Sequence, residues 1–138
     1  MSENAMRFGY WMPVFGGWLR NVEDEQMQAT WDYVSRLARR SEQIGFDLSL
    51  IAELNLNDIK GVRAPSLDAW STSAALAAVT ERLELMIAVR PTFHSPALLA
   101  KQAANPVEVA APPRSRHSEH YPADPNTVKI IYTTPRGT

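Results

Sequence analysis

The sequence contains no cysteine, which removes disulfides, thiolate metal ligands and a thiol nucleophile together. That usage suits the cytoplasm, where thiols stay reduced and structural disulfides are rare. Neither charge is in excess: 14 Lys and Arg stand against 15 Asp and Glu, a formal net charge of −1. Such a balance gives no electrostatic footprint for nucleic acid or an anionic membrane. No apolar run approaches the roughly 20 residues of a membrane span. The opening "MSENAMRF" lacks the apolar stretch of a secretory signal. No GxGxxG follows the first apolar run, where "VFGGWLR" stands instead, so the dinucleotide-binding fingerprint is missing. Histidine is scarce, at three residues. His117 and His120 flank Glu119, but they have no second cluster and no helical frame, so no metal site is assigned. Arg114, Arg116 and His117 are too few for a nucleic-acid patch.

What is present is enough for one ordinary domain. The chain has 138 residues, 45% hydrophobic and 21% charged, sufficient to bury a real core. Residues 7–14, "RFGYWMPV", read as a buried strand that stops at Pro13 and the Gly16-Gly17 pair. In the segment 21–45, Met27, Trp31, Val34 and Ala38 fall on one face of a helix. Glu23, Asp24 and Glu25 load its first turn, arginines its second half, and Gly45 marks its end. Residues 46–53, "FDLSLIAE", form a second strand. Ser66 or Asp68 caps a second, alanine-rich helix. Residues 82–90, "RLELMIAVR", form a third strand, nearly all apolar, as a strand covered on both faces should be. Ser95 and Pro96 open a third helix that runs to about Asn105. The order βαβαβα fits two architectures, a doubly wound sheet or a (β/α)8 barrel. After Asn105 the pattern changes. Six of the ten prolines lie in residues 106–138, with no tryptophan and no phenylalanine. Only 128–134, "VKIIYTT", reads there as a possible short strand; the rest reads as irregular.

Four stretches carry a resemblance: "FGYWMPVFGGW", "DLSLIAELNLNDIKG", "APSLDAWSTSAALAAVTERLEL" and "AVRPTFHSPALLAKQAAN". In order and spacing, over residues 7–105, they resemble the bacterial-luciferase-like flavin monooxygenases. The likeness is greatest to the dimethylsulfone and alkanesulfonate monooxygenases. The resemblance implies an α/β fold: the first three βα units of a luciferase-like (β/α)8 TIM barrel, truncated, with an irregular Pro-rich C-terminal tail. Residues 1–105 would be the partial barrel domain and 106–138 a tail outside the family pattern. In the family, "KQAAN" leads on to a Gly-Arg turn and a fourth strand, whereas "PVEVAAPPRSRH" follows here. A coding frame lost near Asn105 would account for that change. The resemblance further implies reduced FMN as cofactor, dioxygen and a small organosulfur compound as substrates, and an NAD(P)H-dependent flavin reductase as partner. It also implies assembly as a homo-oligomer.

Barrel chemistry sits at the C-terminal ends of the strands. The first end offers Trp11 and Phe15, the second Glu53, Asn55 and Asn57, the third Arg90, Thr92 and His94. By resemblance these face the flavin ring and the sulfur substrate. Glu53, Arg90 and His94 are the candidate catalytic residues; Trp11, Asn55 and Thr92 are candidates for holding the cofactor. Arg90 can grip a sulfonate with a guanidinium fork, or serve a strand-end ion pair with Glu53. His94 can move a proton, or be a loop histidine bonded to backbone. Glu53 can be a working carboxylate, or be held by neighbouring loops. Trp11 and Phe15 can wall the ring or simply pack, and Asn55 and Asn57 can be turn residues. A complete barrel needs about 250 residues, and its phosphate grip commonly comes from the loops after strands seven and eight. Weak or absent FMN binding and no turnover are therefore expected of the chain alone. The alternatives are a non-catalytic remnant and a dimerising or binding module. The outer edge of the third strand needs cover, either from the tail strand or from a second copy.

Overall fold

The computed structural model describes residues 6–20, 22, 25–110 and 128–132. Strands and helices alternate through them: β1 (Gly9–Trp11), α1 (Trp31–Ile44), β2 (Leu48–Ala52), α2 (Ala69–Ala77), β3 (Glu84–Val89), α3 (Pro96–Ala110) and β4 (Val128–Tyr132). A 3-10 turn, Pro91–Phe93, links β3 to α3. The strands form one sheet in the order β1-β2-β3-β4, and every neighbouring pair is parallel. A doubly wound sheet reverses its order at a switch point. This one advances in a single direction. Crossovers of one hand then keep all helices on one side, which is the arrangement of a barrel wall.

Burial follows that geometry. In β2, Ser49 and Ile51 are buried, while Leu48, Leu50 and Ala52 are half-buried. This is the two-residue period of a sheet covered more heavily on one face. The Tyr10 hydroxyl meets Ser41 Oγ of α1 at 2.8 Å, so Tyr10 points to the helix side and Trp11, the next residue, to the other. The core gathers Met12, Val14 and Phe15 after β1 with Val34 and Ala38 of α1, Ile51, Leu76, Ile87 and Val89. Burial pushes the Tyr10 phenol above its ordinary value, against the opposing pull of the Ser41 and Ser49 hydroxyls.

Several expected boundaries move. The strands are shorter at both ends than the apolar runs suggested. The first helix starts at Trp31 and not in the acidic run before it. Thr30 is its N-cap, its Oγ1 accepting from the Tyr33 N–H at 3.3 Å. Val34 and Ala38 are buried as expected, but Trp31 is largely exposed and Met27 precedes the helix. Glu25 is drawn elsewhere by backbone donors and a lysine, described below. Gly45 does close the helix, with φ 98°, the left-handed conformation of a C-cap. Asp68, not Ser66, caps α2, accepting from Ser71 N–H at 2.7 Å. The third helix does not stop at Asn105; it passes through Pro106 to Ala110. Proline's fixed φ is itself helical, so its cost is one missing bond and a local bend, not an obligatory end. Val128–Tyr132 lies beside β3 in register Leu85↔Val128 to Val89↔Tyr132. The outer edge of β3 is therefore covered by the chain's own tail strand; residues 133–134 of the expected strand lie outside the described residues.

Glu42 ties the far end of the sheet together. One carboxylate oxygen accepts from the backbone N–H groups of Glu81 (2.9 Å), Arg82 and Leu83 (2.8 Å), where the chain turns into β3. Partial burial pushes this carboxyl up, but the three donors outweigh it and hold it below the usual carboxylate range.

Candidate functional site

Because all strands are parallel, their carboxyl ends open on one side, and the residues after β1, β2 and β3 meet there. Glu53 follows β2 immediately and is 5% exposed. Its backbone N–H continues the ladder to the Ala88 carbonyl at 3.1 Å, so the carboxylate is fixed against the end of β3. Three donors converge on it. Trp70 Nε1–H of α2 reaches Oε1 at 2.8 Å, His94 Nε2 reaches the same oxygen at 2.7 Å, and the Arg90 backbone N–H reaches Oε2 at 2.8 Å. The Arg90 side chain adds a bond from Nε to the Glu53 carbonyl at 3.1 Å. Trp70 and His94 also meet edge to face, centroids 6.4 Å apart.

Two of the candidate catalytic residues, Arg90 and His94, thus meet on the third, Glu53, although His94 lies 41 positions from it. Arg90 and Glu53 are joined through bonds to backbone atoms and not as an ion pair, and the side-chain partner of Glu53 is His94 at 2.7 Å. The candidates for holding the cofactor are not gathered into this knot. Trp11 is 47% exposed and meets Trp18 edge-on at 5.9 Å. Asn55 and Thr92 are exposed and make no hydrogen bond among the described residues. Phe15 belongs to the core and packs edge-on against Trp18 at 5.5 Å. Asn57 is 1% exposed. Its Nδ2 donates to the Phe15 and Pro65 carbonyls, both at 2.9 Å, and its Oδ1 accepts from Lys60 N–H at 2.9 Å. It is a clamp between loops, the turn role that its residue type allowed. His117, Glu119 and His120 lie outside the described residues.

Sequence reading missed Trp70. The available signal was a single tryptophan in the first turn of a helix expected to pack on the sheet, because a buried indole N–H requires an acceptor. It also missed the loop after β1. There the half-buried Glu25 carboxylate accepts from Trp18 and Leu19 N–H at 3.1 Å each and pairs with Lys60 Nζ. The Lys60 bond, helped by those backbone donors against burial, holds Glu25 below its ordinary value. Gly17 lies beneath it with φ 131°, and a Cβ there would run into the Glu25 carboxylate. Gly17→Ala is expected to lower stability by about 2 kcal/mol through backbone strain and a displaced ion pair. The shift in thermal midpoint checks it, and an unchanged midpoint would contradict the close approach.

An open groove of about 570 Å³ runs beside this loop, lined by Phe15, Gly16, Arg20, Met27, Thr30 and Lys60. It does not include Glu53, Arg90 or His94. Of the two, the cluster is the stronger candidate because its polar groups converge.

The luciferase-like monooxygenase family description matches residues 6–105. The chain belongs to that family. Two FMNH2-dependent dimethylsulfone monooxygenases are similar to it. That of Pseudomonas fluorescens (strain Pf0-1) is 34% identical over 106 residues, and that of Pseudomonas putida 36% identical over 107. Each match covers 75% of this chain and 28% of the relative. The luciferase-like chain thus spans little more than a quarter of the length of the curated relatives it matches. A crystal structure of riboflavin lyase, with modified FMN and riboflavin, superposes with a TM-score of 0.57 at 24% identity, over 75% of this chain and 27% of that one. That likeness supports the barrel fold. Among the described residues, no helix is long and apolar enough to cross a membrane.

Proposed function

We propose that this chain is the opening part of a reduced-FMN-dependent monooxygenase acting on a small sulfone or alkanesulfonate, and that alone it binds FMN weakly and does not turn over. The observation that carries the reading is the convergence of Arg90, His94 and Trp70 on Glu53 at the strand ends of a luciferase-like chain. Residues 1–105 supply the barrel portion in this reading, and 106–138 a tail beyond the family match. A flavin reductase using NAD(P)H supplies the reduced cofactor, and the assembled protein is a cytoplasmic homo-oligomer.

The uncovered face suits a flavin ring. Trp11 presents aromatic surface there, and Phe93, 68% exposed, does so beyond β3. The phosphate is less well served. Of the two cations lining the groove, Lys60 pairs with Glu25 and Arg20 with Asp58. Reduced FMN, when bound, supplies the electrons for dioxygen chemistry. The chain's residues do the rest. Trp11, with Asn55 and Thr92 at the neighbouring strand ends, lines the approach and keeps water from the ring. Arg90 has its Nε committed to the Glu53 carbonyl, so its two terminal nitrogens remain to fork a sulfonyl group. Glu53 orients both Arg90 and His94, and His94 handles the proton.

Equilibrium dialysis against micromolar FMN is expected to show no saturable uptake by the chain. Tight stoichiometric uptake would overturn the weak-binding part. Millimolar alkanesulfonate is expected to shift the NMR signals of Arg90 and His94 selectively; shifts scattered elsewhere would overturn the substrate assignment.

A further inference from the structure

Two donors share one oxygen of Glu53, and that fixes more than a position. An ionised carboxylate only accepts hydrogen bonds, whereas a neutral imidazole carries one N–H and one bare nitrogen. Trp70 Nε1 can only donate, and it occupies Oε1 at 2.8 Å. His94 Nε2 lies 2.7 Å from the same atom, and Oε2 is already taken by the Arg90 N–H. For all three contacts to be bonds at once, the hydrogen of the neutral imidazole must be on Nε2. Nδ1 is then bare. It has no hydrogen bond among the described residues, and it is not one of their buried polar atoms left without a partner.

We propose that Glu53 and Trp70 together hold His94 as the Nε2–H tautomer, so that Nδ1 is the atom His94 offers to whatever binds at the strand ends, and that Trp70 is a positioning residue for it. Only the identity of the bound group rests on the flavin-dependent reading above; the tautomer stands on this chain's own contacts. Which nitrogen of a histidine is bare is set by the bond its partner nitrogen makes. Here that bond is shared with an indole that has no acceptor capacity and cannot adapt. The edge-to-face contact of Trp70 with the imidazole adds a steric stop against ring rotation.

The role of Trp70 separates from that of Glu53 in a pair of variants. In Glu53→Gln, the amide has one oxygen and one NH2 group. The Trp70 indole N–H and the Arg90 backbone N–H then compete for that one oxygen, and wherever Trp70 holds it His94 keeps its Nε2–H. In the double variant Glu53→Gln with Trp70→Phe, that requirement is gone. The amide then turns its oxygen to the Arg90 N–H and its NH2 to His94, whose Nε2 must become the acceptor.

Long-range proton–nitrogen NMR on the 138-residue chain, at a pH where the imidazole is neutral, reads both nitrogens directly. The unaltered chain is expected to show Nε2 protonated and Nδ1 bare, and Glu53→Gln to retain more of that form than the double variant. The double variant is expected to show the majority of the population inverted. An unaltered chain with Nδ1 protonated overturns the proposal. So does a double variant that keeps Nε2–H, which removes Trp70 from it. If the double variant fails to fold, the spectrum of the unaltered chain still decides the tautomer, and Trp70→Phe with Glu53 kept shows whether the imidazole signals move when the indole is removed. No flavin is present in the measurement, so its failure is distinct from failure of FMN or sulfonate binding.

Discussion

Glu53→Ala is expected to lower the unfolding free energy by about 2–5 kcal/mol, from buried donors left without an acceptor together with a small cavity. The carboxylate is 5% exposed and receives Trp70, His94 and the Arg90 backbone. Alanine leaves the indole N–H and a backbone N–H without an acceptor, in surroundings where an unpaired donor costs about 1–3 kcal/mol. A small cavity adds to the loss. Denaturant unfolding followed by tryptophan fluorescence measures it. Glu53→Gln should recover part of the difference, because it keeps the volume and one acceptor. If Glu53→Ala unfolds at the same denaturant concentration as the unaltered chain, the knot at the strand ends is not structural.

Glu42→Ala acts at the opposite end of the sheet. It removes the acceptor for Glu81, Arg82 and Leu83 N–H. Glu81 and Arg82 are exposed, so water replaces part of what is lost, and the expected destabilisation is about 1–2 kcal/mol. The same contact predicts a pH dependence. The folded-state carboxyl of Glu42 titrates below its unfolded value. Its contribution is therefore complete above the ordinary carboxylate range and disappears as pH falls through the lowered, folded-state value. Unfolding midpoints of the unaltered chain and Glu42→Ala should converge on acidification and stay apart near neutrality. Parallel pH profiles would rule out this role.

The order of elements was readable because periodicity and punctuation agree. Apolar runs, Gly45, Asp68 and Ser95-Pro96 mark strands and caps through local chemistry. The start of the first helix was misplaced because Glu23, Asp24 and Glu25 look like a first helical turn. Only the folded chain shows Lys60, 35 positions away, drawing Glu25 into a loop. The passage of α3 through Pro106 was hidden for a related reason: a proline signals a lost bond, not how much the remaining helix tolerates. Glu53, Arg90 and His94 were singled out as candidates because strand ends can be counted from the pattern. Trp70 was not, because which face of α2 meets Glu53 depends on packing that no single stretch encodes. The direction of strand order, which separates a barrel wall from a doubly wound sheet, is likewise a property of non-local pairing.

Asn57 reaches, through one side-chain amide, a backbone carbonyl 42 positions away at Phe15 and another at Pro65. A chemical clock comes with that economy. Slow hydrolysis of the amide to a carboxylate would turn a double donor into an acceptor facing two carbonyls, and the loops after β1 and β2 would repel where they now attract. An aged sample should therefore loosen first at this rim, while the strands beneath stay paired.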